Sequence, residues 1–551
     1  MIVAGEPVAG TLARPQWTIP AFGRTRGRYP LGIEAVNLSE LDDLASGLPV
    51  LSQHPRYWSM YTYIVKSYWD RRITPQTNAG LGHFLRPHEI AFAAAALRCQ
   101  RHPELPGIIG RDTIAPYLAQ GRSTLRLDLD YLGQRLGGYA QVYRGAMADL
   151  GLILRADLTP GAMLDAPFGG VGASVADAFR DAIAATTYAK RYAGKTEGTI
   201  PLDVIDELAQ VSCFCRLPQS PTERGLLVDV LLGRSQPPHQ AHRNRAATVR
   251  MYLELAKQTQ GHEINEEDFR VLIYWGAEDS GASWRPSPAV DSAWRRWWLI
   301  RHREVVVGAL NALFVHFVRW GVNTGGMLSP LALIDYATEL SKLRMPSEFG
   351  LGSGRLNSLA LKTVLAAIDE SVRRDGWPVE PASDSMLEDE ILDRADWGRA
   401  AGAPSAALLA LLVALRRLPV FADKGEDSAT ERAMLDEGGI DRVSTNTLTQ
   451  WTQQQDGSLA DLLFNLLRIF VVRQHLRIAR GKLNQGEDTF RFHDQGGSLL
   501  FVNQDDAEGI NPISIRFNAV ATALSELGLT AAPFGEPKHG LTSLGEEVLH
   551  A

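Results

Sequence analysis

The sequence predicts a mainly α-helical, multi-domain protein with small β-hairpins, and three observations carry that prediction. Asp291 to Gly321 reads as a single long helix. Elsewhere apolar residues recur at three and four, as in Tyr57, Tyr61, Ile64, Val65 and Tyr68, and again in Leu462, Leu466, Ile469, Phe470, Val472 and Leu476. Strand signals are short and lie beside Gly-rich turns. A chain of 551 residues, 45% hydrophobic and 22% charged, exceeds what one core can hold, so several domains are expected.

The long helix organises the rest. Asp291 or Ser292 offers a capping oxygen, and Gly321 is expected to end the helix in a left-handed conformation. Val305 to Val318 is apolar on nearly every side, so other helices or lipid must surround it. This core carries Asn311 and His316 and is shorter than the roughly 20 residues a membrane span needs, so a buried strut is expected and no membrane partner. Its head places Arg295, Arg296, Arg301, His302 and Arg303 among Trp294, Trp297 and Trp298. Arginine stacks on indole and pairs with phosphate or carboxylate, which makes Arg295, Arg296, Arg301 and Arg303 candidate nucleic-acid contacts. The structural alternative is that they pair with acids of neighbouring helices.

In chain order, residues 1–30 read as an arm rich in proline and glycine, followed by a helical domain over 31–185. Ser39 is a candidate cap for a short helix ending near Gly47, and Pro55 suits the first position of an aromatic helix. Packing in the core is the plain reading of that helix's stripe. A base-stacking platform with Arg56, Arg71 and Arg72 on phosphates is the sharper one. His54, His83, His88 and His102 lie close in sequence but match no metal-ligand spacing, and no metal or cofactor is expected.

Leu31-Gly32, a short helix, the turn Gly47-Leu48-Pro49 and then Arg56-Tyr57 opening the aromatic helix resemble the start of certain uncharacterised prokaryotic proteins. Those proteins are encoded beside helicases and nucleases in antiviral defence clusters. The resemblance is confined to this opening stretch. It departs from the pattern at Gly47-Leu48-Pro49 and Ser52-Gln53-His54, where family members show Pro-Gly and Thr-x-Arg. It implies a context, antiviral defence, and no activity.

A second resemblance concerns two modules. A helix over roughly 131–150, then Leu150-Gly151-Leu152, a short strand and another helix is echoed by Ala521 to Leu549, which runs through Leu527-Gly528-Leu529. Both are similar to winged-helix modules, which serve DNA reading or protein assembly.

Residues 186–420 read as a helical core domain around the strut. Cys213-Phe214-Cys215 has no second Cys/His pair at zinc spacing and is expected as two buried small side chains. Phe349 to Arg355 is glycine-rich but lacks Gly-Lys-Ser/Thr, so it is not a P-loop. Asp389, Asp393 and Asp396 share a helical face that would suit magnesium, though a solvated face explains them as well. Residues 440–551 form the expected last domain. There Arg468, Arg473, Arg477, Arg480 and Lys482 recur at helical spacing toward a helix C-terminus. Compensation of the helix dipole and tracking of phosphates are the competing readings. Thr489 to Val502 reads as a hairpin around Gln495-Gly496-Gly497.

The net charge of −7 excludes a strongly basic protein but not a local basic surface. Three cysteines fit a reducing cytosol, and the N-terminus lacks the pattern of a signal peptide. The function expected is therefore binding: a non-enzymatic DNA-binding or scaffold subunit of a multi-protein prokaryotic defence system. The alternatives are a metal-dependent nuclease built on residues 384–396 or the scattered histidines, and a helical adaptor that touches only protein.

Overall fold

In a computed structural model the strut runs Asp291–Asn323, two residues beyond its expected end. The structure describes residues 29–551 except 102–105, 235–238, 279, 329–331, 346–353, 375–401, 423–442, 444, 497 and 503–512. The arm up to residue 28, most of the glycine-rich loop and the acidic face of Asp389, Asp393 and Asp396 lie outside the described residues. The fold is mainly helical, with three small antiparallel sheets among the described residues.

Gly321 does not terminate the strut. It lies inside the helix, and a Cβ there would enter the ring of Phe501. Its absent side chain lets a strand approach, and the left-handed turn falls at Gly325 and Gly326 instead. The N-cap is Val290, whose side chain makes no capping bond, so the cap falls one residue before Asp291. The short first helix, Ala35–Leu44, begins before Ser39, which therefore caps nothing.

The strut passes through two hydrophobic cores. Trp294, Trp297, Trp298 and Ile300 belong to the first, and Val305 to Val318 belong to the second. The strut has the length and hydropathy of a membrane-spanning helix, yet 78% of its most apolar window is buried inside the protein. The Ala/Leu-rich helix Ala403–Ala422 packs along it and supplies much of the covering surface.

These cores divide the chain differently from the expected domains. The first core runs without a break across position 185, joining Phe179, Ile183, Tyr188 and Ile205. Residues of the expected C-terminal domain are split: Leu462, Leu466 and Phe492 enter the second core, while Phe517, Val520, Phe534 and Val548 enter the first. Tyr29 and Leu31, at the inner end of the arm, are buried in the second core.

The aromatic helix Pro55–Asp70 starts at its proline, as expected, and its stripe is core. Tyr57, Tyr61, Ile64, Val65 and Tyr68 are all buried. The following helix, Asn78–Leu97, starts well ahead of its alanine run because Thr77 caps it by accepting from Gly80 N. The hairpin pairs Phe492–Gln495 with Ser498–Phe501, and Met327–Leu328, just after the strut, adds a third strand to it.

The internal echo is real at the level of backbone geometry. The first unit is Arg144–Asp149, preceded by a π-turn at Tyr139–Tyr143, and residues 131–136, expected as the start of its helix, are not helical. Helices Arg144–Asp149 and Phe517–Glu526 both end at a left-handed glycine, Gly151 and Gly528. Leu152 N donates to Met147 O at 2.8 Å, and Leu529 N donates to Leu524 O at 2.9 Å, the same closing bond. Ile153–Leu154 then pairs with Ala166–Pro167, and Thr530 bridges Leu541. In each unit the next helix carries a glycine, Gly172 or Gly545, whose Cβ would strike the carbonyl oxygen of Leu152 or Leu529.

Candidate functional site

The head arginines of the strut point into the protein. Arg296 Nη2 bonds Glu40 at 2.8 Å and Asp43 at 2.6 Å. Arg301 bonds Glu304 at 3.2 Å, and Arg270 reaches the same carboxylate at 3.3 Å. Arg303 donates to Asn37, Thr445 and the carbonyl of Ile33. Arg295 is buried as well. The indoles are satisfied internally: Trp294 donates to Ile273 O, Trp297 to Thr248 and Trp298 to Tyr274 O. His302 stacks on Trp298, and burial drops its pKa to about 3, leaving it neutral. Arg296, Arg301 and Arg303, buried and spread over acids, polar side chains and a carbonyl, make a junction between helices, which is the packing alternative for this cluster.

Arg56 is likewise internal, bonded to Glu223 at 3.1 Å and to Cys213 O at 2.6 Å. His54 donates from Nδ1 to Glu526 at 2.6 Å and from Nε2 to Pro106 O at 2.9 Å. Both partners are acceptors, so the folded ring carries both protons. Burial opposes that charge, but Glu526 outweighs it and the His54 pKa is raised. His88 is neutral, held near pKa 3 by burial. His102 lies outside the described residues.

The arginines of the last long helix are placed differently. Leu459–Leu466 and Arg473–Leu483 are joined by a π-helical stretch, Leu467–Val472. Seven α-helical residues at about 100° each would return residue 473 to the side of Leu466, which is buried. The wider π-turn prevents that return, and Arg473 faces solvent instead. From there Arg473, Arg477 and Arg480 follow one face at spacings of four and three. They line a groove of about 640 Å³ together with Val443, Ile469, Phe470 and Leu476. Arg473 and Arg480 are exposed, and Arg477 is half-buried and donates to Gln474. Its lining mixes cationic and apolar side chains, most of them from this one helix. Such a groove suits an anionic chain or an anion bearing an apolar part.

Two of the expected cations lie off this groove. Arg468 is exposed within the π-helical stretch itself, 3.4 Å from Asn465 Oδ1. Lys482 is buried, and burial lowers its pKa while Glu34 and Glu487 act against that. It belongs to the packing of the helix against residues 29–34. The helix end is held there by Gln474, which donates to Leu31 O at 2.8 Å, and by His475, which donates to Pro30 O at 3.2 Å and accepts from Arg491 N at 3.0 Å.

The two repeated units present different surfaces. The hairpin of the first exposes Leu158 and Met163 at 70% and 69%, with Leu154 and Trp69 also exposed. Asp165 anchors it from below, bonded to Arg144, Tyr139, Asn78 and Ala156 N. The loop of the second is covered by this chain: Gly261 N donates to Pro537 O at 2.8 Å and Ile264 N to Phe534 O at 2.9 Å. Its leading helix, Phe517–Glu526, is buried on most sides, with Asn518 its exposed residue.

The periodicity of the sequence pointed to the arginine helix but not to which arginines would share a face, because a π-turn leaves no sequence signal. It also missed Cys99, which the fold brings beside Cys213 and Cys215, all three sulfurs lying within 4.8 Å of one another. Fold and site together define a mainly helical protein with an arginine-lined groove. No protein-family model, curated protein or solved structure matches this chain.

Proposed function

We propose that this protein works by binding, as a scaffold subunit of a multi-protein assembly that holds DNA through the groove of Arg473, Arg477 and Arg480. The observation that supports this most is the π-turn, which brings a row of arginines into an open, half-apolar groove. Phosphates would pair with the guanidinium groups, and the apolar side chains of Ile469, Phe470 and Leu476 between them would take sugar or base faces. The defence context rests on the resemblance of the N-terminal stretch alone. The exposed hairpin of Leu154, Leu158 and Met163 favours a protein partner as well, with the repeated units acting as winged-helix-like platforms for assembly rather than as readers of bases.

The test is DNA retention by the full chain across a salt series. Retention should fall steeply with salt, with a log–log slope of about −0.9 for each phosphate neutralised on duplex DNA. Arg473→Glu with Arg480→Glu should abolish retention without moving the melting temperature. Retention unchanged by that pair would remove the groove from the argument. Cleavage of DNA with magnesium or manganese would replace the scaffold reading with the nuclease one.

A further inference from the structure

All three cysteines of the chain meet at one point. Cys99 follows the helix Asn78–Leu97, Cys213 ends the helix Leu202–Ser212, and Cys215 lies in the 3-10 turn Phe214–Gln219. The backbone at Cys213 is extended, with ψ 149°, and the chain then enters the 3-10 turn that carries Cys215. The bidentate pair of Arg98 with Asp206, at 2.5 and 2.6 Å, clamps the first two helices together beside the cluster. Cys99 and Cys213 are buried, and Cys215 is half-buried, leaving one open side.

We propose that Cys99, Cys213 and Cys215 form a trithiolate site for a thiophilic divalent ion of the zinc class, with a water in the fourth position. The Cys99 and Cys215 sulfurs are 3.7 Å apart. Zinc–thiolate bonds of about 2.3 Å in a tetrahedron imply a sulfur–sulfur edge of about 3.8 Å. A disulfide needs about 2.05 Å between two sulfurs and would leave the third thiol without a role. A three-way cluster is what an ion requires. Each thiol gives its proton to solvent as the ion binds, so three metal–sulfur bonds replace three S–H bonds and the site gains a net charge of −1. The Arg56 guanidinium, donating to the Cys213 carbonyl, lies beside that charge. His54 is not the fourth ligand, because both its ring nitrogens are engaged and its ring stacks on Phe214 at 4.6 Å. Because each thiol must lose its proton to bind the ion, binding strengthens as pH rises. The ion would tie the end of one helix to the turn after another.

The experiment is a cobalt titration of the full chain, stripped of metal under reducing conditions. One equivalent of Co²⁺ should produce a thiolate-to-cobalt charge-transfer band, and Zn²⁺ should displace it. Cys99→Ser, Cys213→Ser and Cys215→Ser should each weaken or abolish the band. Because a buried serine can also disturb folding, a second readout uses the unaltered protein: Zn²⁺ should protect Cys215 from a thiol reagent, and a chelator should restore labelling. No band at saturating cobalt, thiol reactivity indifferent to zinc, or a band surviving Cys99→Ser with Cys213→Ser would overturn the proposal. So would a Cys99–Cys215 disulfide that forms in place of metal uptake.

Discussion

Replacing Asn311 with leucine should stabilise this protein. Asn311 is fully buried in the apolar half of the strut, and neither its amide nitrogen nor its amide oxygen has a hydrogen-bond partner. It sits between Leu310, Leu313 and Phe314 in a stretch of the strut that belongs to the same core as Ala403–Ala422. An unsatisfied buried polar group costs about 1–3 kcal/mol, and here one side chain carries two. Leucine has the same number of heavy atoms and the same branch point, so it removes the polarity while keeping the outline. Its higher helix propensity adds a few tenths of a kcal/mol, and its tetrahedral branch costs about 1 kcal/mol in repacking. The net gain should be about 1–3 kcal/mol. Two cores need not unfold in one step, so the local readout is hydrogen exchange of strut amides between Val305 and Val318, beside urea denaturation. Exchange there should slow by roughly tenfold for each 1.4 kcal/mol gained. A variant less stable by 1 kcal/mol or more would show that a polar group holds the amide, and the reasoning would fail. Asn311→Asp should destabilise strongly, since it places a charge where even an amide is unpaired.

Three further outcomes follow from particular contacts. Glu526→Gln should destabilise by up to about 3 kcal/mol, because it leaves the buried His54 imidazolium without its counter-charge. The His54 pKa is raised in the folded state, so its contribution is complete below about pH 6.5 and is lost as pH rises through the folded value. Melting followed from pH 5 to 9 should show that loss in the wild type and a flatter profile in the variant. Gly321→Ala should destabilise by about 1–3 kcal/mol despite alanine's helix preference, because its Cβ meets the Phe501 ring, and Phe501→Leu should recover part of the loss in the same melting assay. Arg296→Met should lower the melting temperature by freeing Glu40 and Asp43, yet leave DNA retention unchanged, whereas Arg473→Glu with Arg480→Glu should do the reverse.

Local pattern alone determined the helical class, the strut, the aromatic helix at Pro55, the hairpin at residues 492–501 and the echo of the two Leu-Gly-Leu units. Each rests on interactions within a few residues: a 3.6-residue stripe, a proline at a first helical position, a left-handed glycine closing a helix. Tertiary structure decided everything that depends on which surface meets which. Equal runs of arginine became buried ties at Arg296 and Arg303 and a groove lining at Arg473 and Arg480, because acids, polar side chains and a carbonyl distant in sequence face the first pair and a π-turn rotates the second outward. Gly321 carries no local sign that Phe501 will lie against it. Cys99 and Cys215 stand 116 residues apart, so only the packing of their helices reveals that the chain's three thiols share one site.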